Sequence, residues 1–443
     1  MMLLRPAVCA ARILLLLGLL SCGHAQIRVV DLPGKSPVVN FRIVFTTGAE
    51  VDPEDKPGLA WITAALLAHG GSLTAQVDQE MSTFTGSTPA DRLPQYYRLL
   101  RGALLYPDWD PSTFQQVKDE AIRARENLTP AAGAELADQV LYREIFRGTP
   151  YGHFTAGTVS SLRKITLADV QQFYRMQYSQ SNVILGLTGS YSDSFVENMR
   201  KDFRKLPDGA GFRPRPKPAA LIESTRAIIV RHDTPSVSWS AGFPISVTRS
   251  ALDYPALLVA ALSLQQSGLQ ACIEYSPSGQ SCAAPPANLA RRYQIFRISL
   301  PPTDPAGAWD SFEHALAQLN RLMENGIAED VFQRVRDSLT QTIGALGHAR
   351  DLQLALAIDS AYYRMPRYGE YLKTALEHLT AGDVQRVARN HLRTTRMVMV
   401  AVAADAAALQ QQLTATGTSG AEKWPPHLHA GDIQVLAAGD VFQ

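Results

Sequence analysis

Thr166-Leu167-Ala168-Asp169-Val170-Gln171 is answered later in the chain by Thr380-Ala381-Gly382-Asp383-Val384-Gln385, a separation of 214 residues (380 − 166). In each copy a Thr stands where a helix N-cap belongs, and an Asp three positions on completes the first turn. Each hexapeptide therefore predicts a helix start. Each predicted helix runs into an apolar strand, Val183 to Leu187 in the first copy and Met397 to Val402 in the second. The same offset carries Asn182 onto Arg396 without a gap.

The heads of the two halves correspond as well. Phe41 to Phe45 predicts a strand, followed by a Pro-Gly break and a helix from Leu59 to Ala68. Val237 to Phe243 predicts a strand, followed by Asp253-Tyr254-Pro255 and a helix from Ala256 to Leu264. Aligning Ala64-Ala65-Leu66 with Ala260-Ala261-Leu262 gives an offset of 196 (260 − 64), so one half carries about a helix more than the other. A shared period of this length marks a duplicated α/β unit. Amphipathic helices over Pro107–Asn127 and Ala134–Phe146, matched by Trp309–Asn325 and Glu329–Leu346, give each unit a helical layer over its strands. The division that follows is an export signal (1–25), a first unit (26–206), a linker rich in Pro, Gly, Lys and Arg (207–218), a second unit (219–415) and a tail (416–443).

The 443 residues are 46% hydrophobic and 19% charged, enough to build two cores. A net charge of +1 supplies no basic field for a phosphate backbone, which argues against nucleic-acid binding. Arg5 and Arg12 precede an apolar run from Ile13 to Leu20 and small residues around Ser21-Cys22-Gly23, the pattern of a secretory signal too short to span a bilayer. Two cleavage readings stand side by side. Leu19-Leu20-Ser21-Cys22 resembles a bacterial lipobox, which would make Cys22 a lipidated N-terminus; Gly23-His24-Ala25 before Gln26 resembles an ordinary signal-peptidase site. Either places the mature protein in the periplasm or lipid-anchored in a bacterial envelope. Cys272 and Cys282 sit ten residues apart and either close a small disulfide loop or remain two thiols.

Gly48-Ala49-Glu50, Asp52-Pro53 and Lys56-Pro57-Gly58-Leu59-Ala60 link the first strand to its helix. Downstream come Gly148-Thr149-Pro150-Tyr151-Gly152, Gly157-Thr158, Ile165-Thr166, Phe173-Tyr174 and Tyr178, then Glu324-Asn325-Gly326-Ile327 in the second unit. In this order and spacing, over roughly residues 28 to 410, the chain resembles the pitrilysin, insulin-degrading and mitochondrial processing peptidases. The resemblance implies an α/β (α+β) fold of two tandem homologous repeats, each a mostly antiparallel sheet layered with helices. In active members the helix after Gly-Leu-Ala carries HxxEH. Its two His bind zinc from one helical face, the Glu activates the zinc-bound water, and a Glu on a later helix completes the site.

Here the matching positions hold Trp61, Ala64, Ala65 and Ala124, with Glu120 and Glu126 off register. None of the four side chains can donate an electron pair to zinc or take a proton from water. Many members also hold the substrate carbonyl with an Arg and a Tyr of the second unit. The matching region contains Tyr275 with no Arg ahead of it, so the pair reads as lost, the alternative being Tyr275 with Arg291 or Arg292 from beyond the insertion. Between Asp78 and Leu93 the family's helix ahead of the next strand is missing.

These losses imply no zinc or other cofactor and no catalysis. The expected role is a non-catalytic subunit that pairs with an active zinc peptidase of the family to enclose peptides. The alternatives are a stand-alone envelope protein that binds peptides or scaffolds a complex, and a zinc endopeptidase with unorthodox ligands. No two of the ten His have i, i+4 spacing with a Glu between them, and His427-Leu428-His429 reads as part of a solvated tail. Ser240, Ser278 and Ser281 lack a nucleophile elbow. Trp61, Ile62, Ala65 and Leu66 form an apolar stripe, so Trp61 is expected to fill the volume that zinc, water and imidazole would occupy.

Overall fold

A computed structural model describes residues 27–209, 217–266, 268–273, 291–346, 349–415 and 428–443. The first unit contains β1 (Arg28–Pro33), β2 (Val38–Phe45), α1 (Leu59–Ala68), β3 (Thr74–Val77), β4 (Ser82–Pro89), α2 (Leu93–Leu105), α3 (Pro111–Glu126), α4 (Gly133–Ile145), α5 (Val159–Lys164), α6 (Leu167–Gln177), β5 (Val183–Gly189) and α7 (Asp193–Phe203). The second contains β6 (Arg226–Arg231), β7 (Ser238–Ile245), α8 (Tyr254–Gln265), β8 (Gln270–Cys272), β9 (Gln294–Ser299), α9 (Ala308–Asn325), α10 (Glu329–Leu346), α11 (Arg350–Tyr363), α12 (Tyr368–His378), α13 (Ala381–His391), β10 (Val398–Ala403) and α14 (Ala406–Thr414). The chain closes with β11 (Ile433–Ala437) and α15 (Ala438–Val441).

The repeat read from the hexapeptides is a repeat of topology. The first sheet runs β1-β5-β2-β4-β3 and the second β11-β6-β10-β7-β9-β8, so β1 through β5 map in the same order onto β6, β7, β8, β9 and β10. In each sheet a parallel pair, β1 with β5 or β6 with β10, joins an antiparallel run, and the second sheet adds β11 parallel to β6. The hexapeptides build matching capping boxes. The Thr166 hydroxyl accepts from the Asp169 amide at 3.2 Å, Thr380 does the same with Asp383 at 3.2 Å, and each Asp carboxylate accepts in return from its Thr amide.

The helices are shared between units in a way that local periodicity does not reveal. α4 belongs to the first unit by sequence but packs on β7 and β10 of the second sheet, and α11 of the second unit packs on β1 and β5 of the first. Leu136, Val140, Leu141 and Ile145 of α4 meet Ile228, Val230, Val398, Val400 and Val402. Leu354 and Ile358 of α11 meet Val44, Met81 and Ile184. Gly186 of β5 admits this contact, since a Cβ there would stand 2.7 Å from Ile358 Cδ1. Each sheet is thus covered on both faces, which is why β5 and β10 are buried along their whole length. Burying the four large side chains of α4 is worth on the order of 10 kcal/mol as an upper bound, so neither unit keeps its core if the other leaves.

Residues 428–443 are not a solvated tail. β11 extends the second sheet in parallel beside β6, and Ile433, Ala438, Val441 and Phe442 are buried. Alternating Ile433, Val435 and Ala437 suit an edge strand, and that pattern outweighs the Pro-rich stretch ahead of it. Cys272 is disulfide-bonded, whereas Cys282, Cys22 and Tyr275 lie outside the described residues.

Candidate functional site

The motifs that flank α1 converge on its N-terminus. Gly58 sits at φ 97° with its Cα region against Gly157, itself at φ 75°, and a Cβ on Gly157 would stand 2.4 Å from the Pro57 carbonyl. Only glycine satisfies both the left-handed backbone and the close approach. Ser161 Oγ donates to the Pro57 carbonyl at 2.8 Å, and Lys56 pairs with Asp169 of the first capping box at 2.8 Å. Asp52 reaches over the start of the helix. Its two carboxylate oxygens accept from the Gly58 and Ala60 amides at 2.7 and 2.8 Å, and His153 Nε2 lies 3.5 Å away. These residues fix where α1 begins.

Burial pushes the Asp52 carboxyl above its ordinary value of 3.8, against the pull of His153 and the two amides. The folded state therefore holds a proton that the unfolded chain releases, and this group's contribution to stability falls as pH rises from 3.8 through the folded value. Asp52→Asn is expected to flatten that component in melting curves taken from acid to neutral pH. Asp52→Ala should cost about 1–2 kcal/mol by uncapping α1. An unchanged melting temperature in the alanine variant would show that the helix start is held by the glycines alone.

Trp61 and Ala124 line one cavity of about 570 Å³, bounded by α1, β3, α3, α4, the segment around His153–Ala156 and Phe442. The structure thus brings together two of the positions that the resemblance assigns to a zinc site. Ala64 is 1% exposed within the first core and Ala65 is half-buried beside it. Trp61 is also only half-buried, and it does not fill the space expected of it. The reason is the opposite wall: Ala75, Ala121, Ala124, Ala132 and Ala156 are too small to meet the indole. Of the stripe expected as packing surface, Ile62 and Leu66 are buried in the first core and Ala65 packs against it, whereas Trp61 forms part of the cavity wall.

Zinc does not fit this lining. The four positions carry no lone-pair donor, and the donors elsewhere in the wall are engaged. Glu135 accepts from Gln139 at 2.7 Å, Gln139 accepts from Arg125 at 3.2 Å, and His153 faces Asp52. Glu120 and Glu126 turn away to Gln116 and Arg163, at 3.0 and 2.9 Å. Among the described residues, no group of three or more His, Cys, Asp or Glu could hold a metal ion.

The remaining lining carboxylate, Asp78, belongs to a buried ion network that joins the two units. Arg291 donates to Asp78 at 3.1 Å and to Asp359 of α11 at 2.9 Å, and Arg249 donates to Asp359 at 2.8 Å. Arg292 pairs with Glu80 at 3.1 Å and with Glu50, and Tyr362 donates to Glu80 at 2.8 Å. Burial opposes the charge on Arg291, but Asp359 and Asp78 outweigh it and hold the guanidinium well above its ordinary range. Burial raises the Asp78 carboxyl despite Arg291 beside it. Both arginines are thus engaged in ion pairs, which speaks against the alternative that either one replaces the lost Arg of the substrate clamp. Their place after β8 carried no signal of this role, because the acidic partners Glu50, Asp78 and Glu80 lie more than two hundred residues upstream.

A five-stranded and a six-stranded sheet with exchanged helices and a cavity at α1 define a two-unit α/β fold, and comparison with known proteins agrees. Residues 164–339 match the family model described as "Peptidase M16 inactive domain". The beta subunit of the mitochondrial processing peptidase of Dictyostelium discoideum is 23% identical over 138 residues, which is 31% of this chain and 29% of that protein. The match therefore spans under a third of that relative. The peptidase M16 inactive domain from Pseudomonas fluorescens superposes with a TM-score of 0.68 at 18% identity, covering 85% of this chain and 95% of that one. The periplasmic protease PqqL from Escherichia coli gives a TM-score of 0.67 at 14% identity over 89% of this chain and 48% of that one. Over residues 164–339 the chain is thus similar to the inactive domain of the pitrilysin-type peptidases, and it shares the fold of the solved members.

Proposed function

We propose that this protein is a non-catalytic, exported member of the pitrilysin-type peptidase family that encloses peptide in the α1 cavity and works beside an active zinc-bearing partner. The observation that carries this reading is the cavity itself. The chamber at the zinc helix is kept at about 570 Å³ while every position that would hold metal or activate water is Trp or Ala. β3 supports it further: this last strand of the first sheet lines the cavity through Ala75, Gln76 and Val77, where an extended peptide could add alongside. Export rests on the N-terminal pattern and on likeness to a protein described as periplasmic. Among the described residues, no helix is long and apolar enough to cross a membrane.

The test is affinity purification of the tagged full chain from its native envelope, with mass spectrometry of what co-elutes. A stoichiometric HxxEH-bearing chain of similar length is the expected result. Recovery of a lone monomer or a self-dimer would move the reading to the stand-alone binding or scaffold protein. Metal analysis runs in parallel. Stoichiometric zinc that disappears in His153→Ala would restore the enzyme reading.

A further inference from the structure

Residues 441–443 are seated on the first unit as a bound peptide would be. Phe442 is 2% exposed, its ring centroid 4.6 Å from that of Phe154 and beneath the Arg125 guanidinium at 4.5 Å. Arg143 stacks on Phe154 at 4.9 Å. Each of the three carbonyls meets a donor from the first unit. Arg143 donates to Val441 O at 3.2 Å, the Val159 amide donates to Phe442 O at 2.6 Å, and Ser160 Oγ donates to Gln443 O. The receiving surface, built from α3, α4 and residues 154–160, opens directly into the cavity, whose wall includes both Phe154 and Phe442.

We infer that this surface is a recognition groove for a peptide of apolar–aromatic–polar sequence, filled in cis by the chain's own Val441-Phe442-Gln443. The donors to the main chain read the carbonyls of any sequence. The Arg125–Phe154 slot selects an aromatic ring at the central position, where stacking and cation–π contact add to burial. β11 and the short α15 lead directly into the docked residues, so the segment is delivered at an effective concentration on the order of millimolar. A free peptide of micromolar affinity would then compete poorly with it, and the groove would be open only when the segment is released. The geometry of the groove carries this inference whether or not the chain pairs with a peptidase.

The test uses the full chain and a fluorescein-labelled peptide, Ala-Gly-Asp-Val-Phe-Gln, that reproduces residues 438–443. Phe442→Ala is expected to bind it at least tenfold more tightly than the native chain does, and a peptide with Ala in place of Phe should bind neither. Equal binding to both proteins, or no binding to a Phe442→Ala variant that melts cooperatively, would overturn the inference. If Phe442→Ala does not fold, Arg143→Ala takes over, because this half-buried side chain supports the docked segment without filling the core. Hydrogen exchange across residues 438–443 should then accelerate at least tenfold, and unchanged protection there would overturn the groove.

Discussion

Asp359→Ala should lower the melting temperature by roughly 5 °C, because it leaves two buried guanidinium groups facing each other. Asp359 is 2% exposed and accepts from Arg291 at 2.9 Å and from Arg249 at 2.8 Å. Removing one member of a buried ion pair costs about 3–5 kcal/mol, most of it the penalty of the charges left behind. For two units of about 200 residues each that melt together, each kcal/mol shifts the melting temperature by roughly 1–2 °C. The loss should appear in one transition rather than two, since α4 and α11 tie each core to the other sheet. Asp330→Ala supplies the contrast: Asp330 and Arg334 are both exposed, so breaking their 2.7 Å pair should change stability by less than about 1 kcal/mol. A shift in Asp359→Ala no larger than that of Asp330→Ala would show that the network neighbours relax to share the charge.

The sequence disclosed the elements far better than it disclosed their partners. α1 and α10 have the bounds that hydropathy and caps predict, and the two Thr-Asp capping boxes fix α6 and α13. A capping box is written in four consecutive residues, so nothing distant can override it. The destination of α4 is a different kind of information. Leu136, Val140, Leu141 and Ile145 announce an apolar face but not which of two apolar sheets will cover it. The ion network is hidden for the same reason, with Asp78, Arg291 and Asp359 spread over 281 positions (359 − 78). Trp61 shows the limit most sharply. Its size alone suggests a filled site, and only the alanines contributed by β3, α3 and the segments around residues 132 and 156 explain why the chamber stays open.

Those same contacts set what rebuilding the zinc site should do. Changing Trp61, Ala64 and Ala65 to His, Glu and His recreates the HxxEH pattern, yet no peptidase activity is expected. Two obstacles stand in the way. With Ala124 unchanged the metal has two protein ligands where a catalytic zinc keeps three. The Ala64→Glu change would also place a carboxylate in the first core at a position only 1% exposed, costing on the order of 3 kcal/mol for an unpaired buried charge. The informative variant is Trp61→His, Ala65→His and Ala124→Glu with Ala64 retained. Positions 61 and 65 are half-buried and position 124 lines the same cavity as 61, so three ligands can converge without breaching the core. This variant should bind zinc roughly a hundredfold more tightly than one carrying the two His alone, a gain of about 3 kcal/mol. It should remain inactive, because no residue is placed to take the proton from the metal-bound water. Competitive zinc titration and a fluorogenic peptide assay measure the two properties separately. If the HxxEH variant cleaves peptide while Ala124 is unchanged, the third ligand lies elsewhere and the assignment of position 124 fails. If Ala124→Glu adds nothing to zinc affinity, the cavity that joins α1 to α3 is not the remnant of a metal site.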